Sequence, residues 1–254
     1  MIAVQEDNEL IDIFLDFGET MMASGAEIGR VEDSLARMGR SYGAVKTNVF
    51  VITSSIELTM QFSDGQTVTR TRRILGAGDT DFEKLRALNA LSRRCAMDRL
   101  PVGELKTAIE EIKQRRIPML WFCIGSVFAS GGFSVFFGGT LLDAAMAGLF
   151  SLFICWMQYK AAPLMPNKIF FLFICSLLTG IGICLMDKVI PGLHIDKIII
   201  GDIMLLVPGI AITTAVRDTL IGDTISGVIK LADSLVWAAG LAAGFMIAIR
   251  LFVG

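Results

Sequence analysis

The sequence predicts an α-helical polytopic membrane protein of about five spans, preceded by an α+β domain. Three observations carry this expectation. First, 54% of the 254 residues are hydrophobic, only 19% are charged, and mean hydropathy is +0.63; a soluble domain carries about 25% charged residues. The surplus apolar surface has to face something other than water. Second, most basic residues precede Pro118, and long apolar blocks follow it. Third, the stretch before Pro118 shows helical and strand periodicities typical of a water-soluble fold. The expected division is residues 1–116 and 117–254.

Within the first part, Asn8–Met22 and Gly25–Gly43 both read as helices, and in the second Ile28, Val31, Leu35 and Met38 share one face. Gly25 separates the two, and Gly43 suits a C-terminal cap. Residues 55–61 alternate strictly, with Ile56, Leu58 and Met60 opposite Glu57, Thr59 and Gln61, and "SDG" turns the chain into "QTVTRTRRI". This is a β-hairpin pattern. Asp79–Thr80 opens a third helix and Val102–Arg116 forms a fourth. "RTRR" at Arg70–Arg73 is either a solvent-facing strand edge or an attractor of anions and lipid headgroups. The N-terminus lacks a basic segment followed by an apolar core, so no cleaved signal peptide is expected.

Five blocks match the roughly 20 residues that cross a bilayer as a helix: Ile117–Phe137, Thr140–Tyr159, Lys168–Met186, Asp196–Val216 and Val228–Val253. The basic cluster Lys113–Arg116 directly before the first block places the N-terminal domain in the cytoplasm of a cell (inner) membrane protein. Five spans then leave the C-terminus outside. Asp143 falls at the external end of the second span, where it reaches water. Gly240-x-x-x-Gly244 and Gly125-x-x-x-Ala129 are small-residue patterns for close helix packing.

Several function classes are excluded or disfavoured. A net charge of −2 without a basic stripe argues against a nucleic-acid partner. His194 is the single histidine and falls in an external loop, so no Ser-His-Asp or Cys-His pair forms in the N-terminal domain. There is no Walker phosphate loop and no dinucleotide fingerprint, and the five cysteines lack metal or disulfide spacing. Neither an enzyme nor a bound cofactor or metal is expected.

What remains is a set of ionisable residues in apolar surroundings. Asp202 lies well inside the fourth block, where a charge costs at least about 2.5–3.5 kcal/mol on insertion scales. Pro208 and Gly209 break the helix six residues later, and interrupted helices in transporters expose backbone polar groups around substrate. Thr213 and Thr214 add hydroxyls; Arg217, Asp218, Asp223, Lys230 and Asp233 follow. Lys230 and Asp233 are spaced to neutralise each other on a helix. The alternative to a shared cavity is a solvated cytoplasmic loop, which suits Asp218 more than Asp233. Such a mixture of carboxylates, hydroxyls and cations suits a zwitterion. Asp202, Asp218, Asp223 and Asp233 are thus candidates for proton coupling along a pathway with Pro208 and Gly209, and Thr213, Thr214, Arg217 and Lys230 for substrate contact. In the N-terminal domain, Glu27, Arg30 and Glu32 either contact a ligand, gate the membrane part, or form a solvated i,i+3 pair.

Two stretches together, "SGAEIGRVEDSLARMGRSYGA" and "LVPGIAITTAVRDTLIGDTISGVIKLADS", resemble the threonine/serine exporter family. The resemblance runs from about Asn8 to the final span, and the family's motif falls on Pro208, Gly209, Arg217, Asp218, Gly222 and Asp223. It implies a cytosolic domain followed by membrane helices that export small hydroxy amino acids on the proton gradient. Family members of full length carry about ten spans, so five resemble the larger subunit of a split form, which implies a second small multi-span subunit as partner. Some split pairs are associated with export of dicarboxylates such as succinate. The expected partners are therefore the lipid bilayer, that subunit and a small polar metabolite, with a homo-oligomer also compatible. The competing class is a non-transporting sensor whose N-terminal domain binds a ligand; a membrane-embedded enzyme ranks last, because no nucleophile–base arrangement accompanies the acids.

Overall fold

A computed structural model describes residues 2–74 and 80–252. Two compact units emerge. One comprises residues 1–116 together with 213–230, and the other residues 117–212 together with 231–254.

The first unit contains α1 (Ile2–Ala23), α2 (Ile28–Ser41), the strands β1 (Ala44–Ile52), β2 (Ser55–Phe62) and β3 (Thr67–Arg73), then α3 (Phe82–Met97) and α4 (Val102–Gln114). The sheet is antiparallel in the order β1-β2-β3. The alternating stretch does what its period dictates: Ile56, Leu58 and Met60 are fully buried under the helices. Ile28, Val31, Leu35 and Met38 of α2 are fully buried against the same core, with Phe14 and Phe17 of α1 and Leu88 of α3. Two expectations need correction. Residues 44–52 form a third strand, whose apolar and polar residues do not alternate cleanly enough to announce it. The third helix starts at Phe82, capped by Asp81, whose side chain accepts from the Lys84 N–H; Asp79 lies outside the described residues. Of the basic run, Arg72 is committed structurally, pairing with Asp16 at 2.5 Å and Glu19 at 3.1 Å.

The second unit is built from α5 (Met119–Phe136), α6 (Leu141–Trp156, continued by a π turn, Met157–Ala161, and a 3-10 turn, Ala162–Leu164), α7 (Lys168–Val189) and α8 (Ile195–Leu206). After α9 (Gly209–Leu220) comes α10 (Thr224–Phe252), which runs through both units by sequence. Four of these helices are long and apolar enough to cross a membrane, and the α8–α9 pair makes a fifth candidate if counted as one broken span. The packing is inverted relative to a water-soluble bundle. On α5 the buried positions are Ser126, Ser130, Gly131 and Ser134, while Leu120, Trp121, Phe128 and Phe136 are exposed. Large apolar side chains facing outward and small residues at helix contacts are what a lipid solvent selects. The chain is a multi-pass membrane protein. Gly240 and Gly244 do pack closely, against Ile169 and against Ser176 and Phe173 of α7, whereas Gly125 has open space beside it.

Candidate functional site: buried carboxylates and a broken helix

Asp202 projects from α8 into the second unit and is fully buried. Its Oδ1 accepts a hydrogen bond of 2.7 Å from Ser130 Oγ of α5, and its Oδ2 has no partner. The approach of the two helices depends on Gly201: a Cβ there would sit 2.5 Å from the Ser130 carbonyl oxygen. Any larger residue would push α8 away and stretch the Ser130–Asp202 bond. Sequence reasoning found Asp202 and missed Ser130, which is one of several small residues on α5. Its spacing from Ser126 and Ser134 along one helix face was the available signal.

The helix break is real rather than a kink. α8 ends at Leu206, and Val207 is extended (φ −63°, ψ 130°), as a residue before proline is forced to be. α9 resumes at Gly209, and the two helices are bent by 53°. Thr213, exposed, and Thr214, half-buried, lie in the second turn of α9.

In the first unit, the expected loop after Val216 is instead a helical hairpin. α9 continues to Leu220, and Gly222 (φ +102°) turns the chain directly into α10, with the Asp223 N–H bonded to the Asp218 carbonyl at 2.9 Å. Gly227 of α10 sits against Ala215 and Thr219 of α9 so closely that a Cβ would collide with Ala215 O and Thr219 Oγ1. Across this contact Lys230 Nζ donates to Asp218 Oδ2 at 2.7 Å, and Asp218 is fully buried with Oδ1 unsatisfied. The ranking that the solvated-loop alternative gave two of the acids is thereby reversed. Asp218 is the buried residue, because α9 extends far enough to carry it inside the hairpin, and Asp233 is exposed. Lys230 pairs with Asp218 twelve residues away.

The two distinctive sequence stretches meet within this unit. Arg217 of α9 pairs with Glu27, the residue preceding α2, and Arg30 Nη2 lies 4.0 Å from the same carboxylate. Glu32 accepts a bond of 3.0 Å from the Val51 N–H. Burial pushes its carboxyl above the ordinary glutamate value; the Val51 bond opposes this, and the nearby charges of Asp223 and Asp33 add to it.

Asp143 is a further correction. It is fully buried rather than water-exposed, because the chain folds back over it: Thr140 donates to Oδ2 through its N–H at 2.7 Å and its hydroxyl at 2.8 Å, and the His194 N–H donates to Oδ1 at 2.9 Å. His194 Nδ1 lies 2.9 Å from Oδ2. Among the described residues no three His, Cys, Asp or Glu side chains converge as a metal site would require.

Residues 12–252 match the ThrE family, described as "Putative threonine/serine exporter". A "Probable threonine/serine exporter" of Mycobacterium tuberculosis (strain ATCC 25618 / H37Rv) is 22% identical over 253 residues, covering 95% of this chain and 46% of that protein. The chain thus spans about half the length of this curated relative. No solved structure matches. With nearly its whole length matched, from the first core helix to the last span, the chain belongs to the threonine/serine exporter family.

Proposed function

We propose that this chain is a subunit of a proton-coupled secondary exporter of small polar metabolites, either threonine- or serine-like amino acids or a dicarboxylate such as succinate. The observation that carries this reading is Asp202: a carboxyl group fully buried in an apolar helical unit, with one serine donor and one oxygen left without a partner. Such a group is tolerated in a membrane where a proton or a water-filled path reaches it, and both belong to a transport route. The break at Pro208 supports the same reading, since interrupted helices leave backbone polar groups available to substrate. Asp202 carries the coupling proton, and the Lys113–Arg116 cluster keeps the N-terminal domain in the cytoplasm and the C-terminus outside.

The second component of the proposal is a small multi-span membrane subunit that completes the pathway. It is supported by buried polar atoms of the helical unit that have no partner, such as Asp202 Oδ2 and Thr179 Oγ1, since a polar group within a membrane needs protein or water to satisfy it. The test is reconstitution. Proteoliposomes with this chain alone should not transport, and adding the short subunit should give gradient-driven efflux of the substrate. In that complex Asp202→Asn should abolish efflux while leaving assembly intact, and Asp202→Glu should retain part of it. Undiminished concentrative transport by the asparagine variant would make Asp202 structural and pass the coupling role to Asp218, Asp223 or Asp233.

A further inference from the structure

Glu27 occupies the N-cap position of α2, yet its side chain caps nothing. Its carboxylate is directed instead at Arg217 of α9, 190 residues away in the sequence. One and a half turns further along α2 stands Glu32, held by the Val51 N–H and close enough to Asp223 to feel its charge. The N-terminal end of α2 therefore presents one carboxylate that attracts the α9–α10 hairpin and a second that repels its turn. The hairpin itself is stiff: Gly227 seats α10 on α9, and the buried Lys230–Asp218 pair locks them together. α9 begins at the Pro208 break, and α10 continues uninterrupted to Phe252. Arg217 thus stands on a hairpin whose two helices continue, by sequence, into the membrane-spanning part of the chain.

We infer that Glu27 is a positioning residue for transport, acting through Arg217 to set the α9–α10 hairpin, so that the N-terminal domain takes part in the transport cycle. This rests on the exporter reading above. An ion pair as exposed as this one, with Arg217 52% and Glu27 21% accessible, contributes little to folding. Neutralising either partner therefore leaves a folded chain whose transport can be measured, and a purely structural role would leave transport unaltered.

The experiment is a double-mutant cycle on the complex of the full chain with its short subunit in proteoliposomes. Glu27→Gln and Arg217→Gln should each lower the maximal efflux rate about tenfold with KM changed less than about twofold, and the double variant should be no worse than either single. The charge-exchanged pair Glu27→Arg with Arg217→Glu should recover at least about a third of the wild-type rate, because the ion pair is rebuilt in the opposite sense. Single variants at the wild-type rate, multiplicative losses in the double, or a raised KM at unchanged maximal rate would each overturn the positioning role. If the unmodified complex moves no substrate, it is the exporter reading that fails, and the role of Glu27 with it.

Discussion

Asp143 and Asp202 are the same residue type, both fully buried in the same helical unit, and they are held in opposite ways. Asp143 sits in the first turn of α6 with donors from Thr140 and the His194 backbone on both oxygens. Asp202 sits in the interior of α8 with one donor, Ser130, on one oxygen. The difference lies in backbone supply. A helix N-terminus and the loop packed over it offer free N–H groups, so a carboxylate there is a structural acceptor. Mid-helix N–H groups are already bonded, and only side chains from other helices can reach a carboxylate in that position. Burial alone therefore does not separate Asp143 from Asp202; the acceptor left unfilled on Asp202 does.

Substitutions should separate these cases by stability, measured as thermal unfolding of the purified chain. The largest effect is expected at the third buried carboxylate, Asp218. Lys230→Met removes the cation that pairs with a fully buried carboxylate and should cost about 3–5 kcal/mol, much of it recovered by adding Asp218→Asn. Next comes Asp143→Asn: an amide accepts through one oxygen only and turns a donor toward Thr140, so a loss of about 1–3 kcal/mol is expected. Asp202→Asn should cost about nothing, since one neutral amide still accepts from Ser130 and no other bond is lost. An Asp202→Asn loss as large as that of Asp143→Asn would collapse the distinction between the two acids.

The smallest effect is expected at Glu32, outside the spans. Its carboxyl is raised above the ordinary value in the folded chain. Folding therefore favours its protonated form, and the stability it contributes is present at low pH and lost as pH rises through the raised value. Glu32→Gln, which can still accept from Val51, should raise the melting temperature slightly at neutral pH and leave it unchanged well below the glutamate range. A gain that persists in acid would show that the charge of Glu32 is not what costs stability.

Much of the architecture was legible because it is written in local patterns. The hydropathy of four blocks, the alternation of Ile56, Leu58 and Met60, and the helical face Ile28–Met38 matched the elements they formed, while the block Asp196–Val216 became two helices, a fifth candidate only if the broken pair is one span. Strand β1 was not legible, since its apolar residues Val45 and Phe50 face outward and Thr47 packs on Gly39 of α2. At the candidate site, Asp202, Pro208 and Gly209 were recognisable from composition alone, because a charge or a proline in an apolar block is locally anomalous. Ser130 was not, because a serine there is locally unremarkable.

By itself, then, the sequence determined where helices run, that one is broken at Pro208, and that the chain lives in a membrane. These follow from periodicity, hydropathy and a missing N–H, each a property of a few neighbouring residues. Only the tertiary structure decided that Asp218 is buried and Asp233 exposed, that Asp143 is satisfied and Asp202 is not, and that Glu27 reaches Arg217. Ser130–Asp202, Asp143–His194 and Glu27–Arg217 join residues 72, 51 and 190 positions apart. What a buried charge costs depends on donors delivered by other segments of the chain, and no local pattern records which segment arrives.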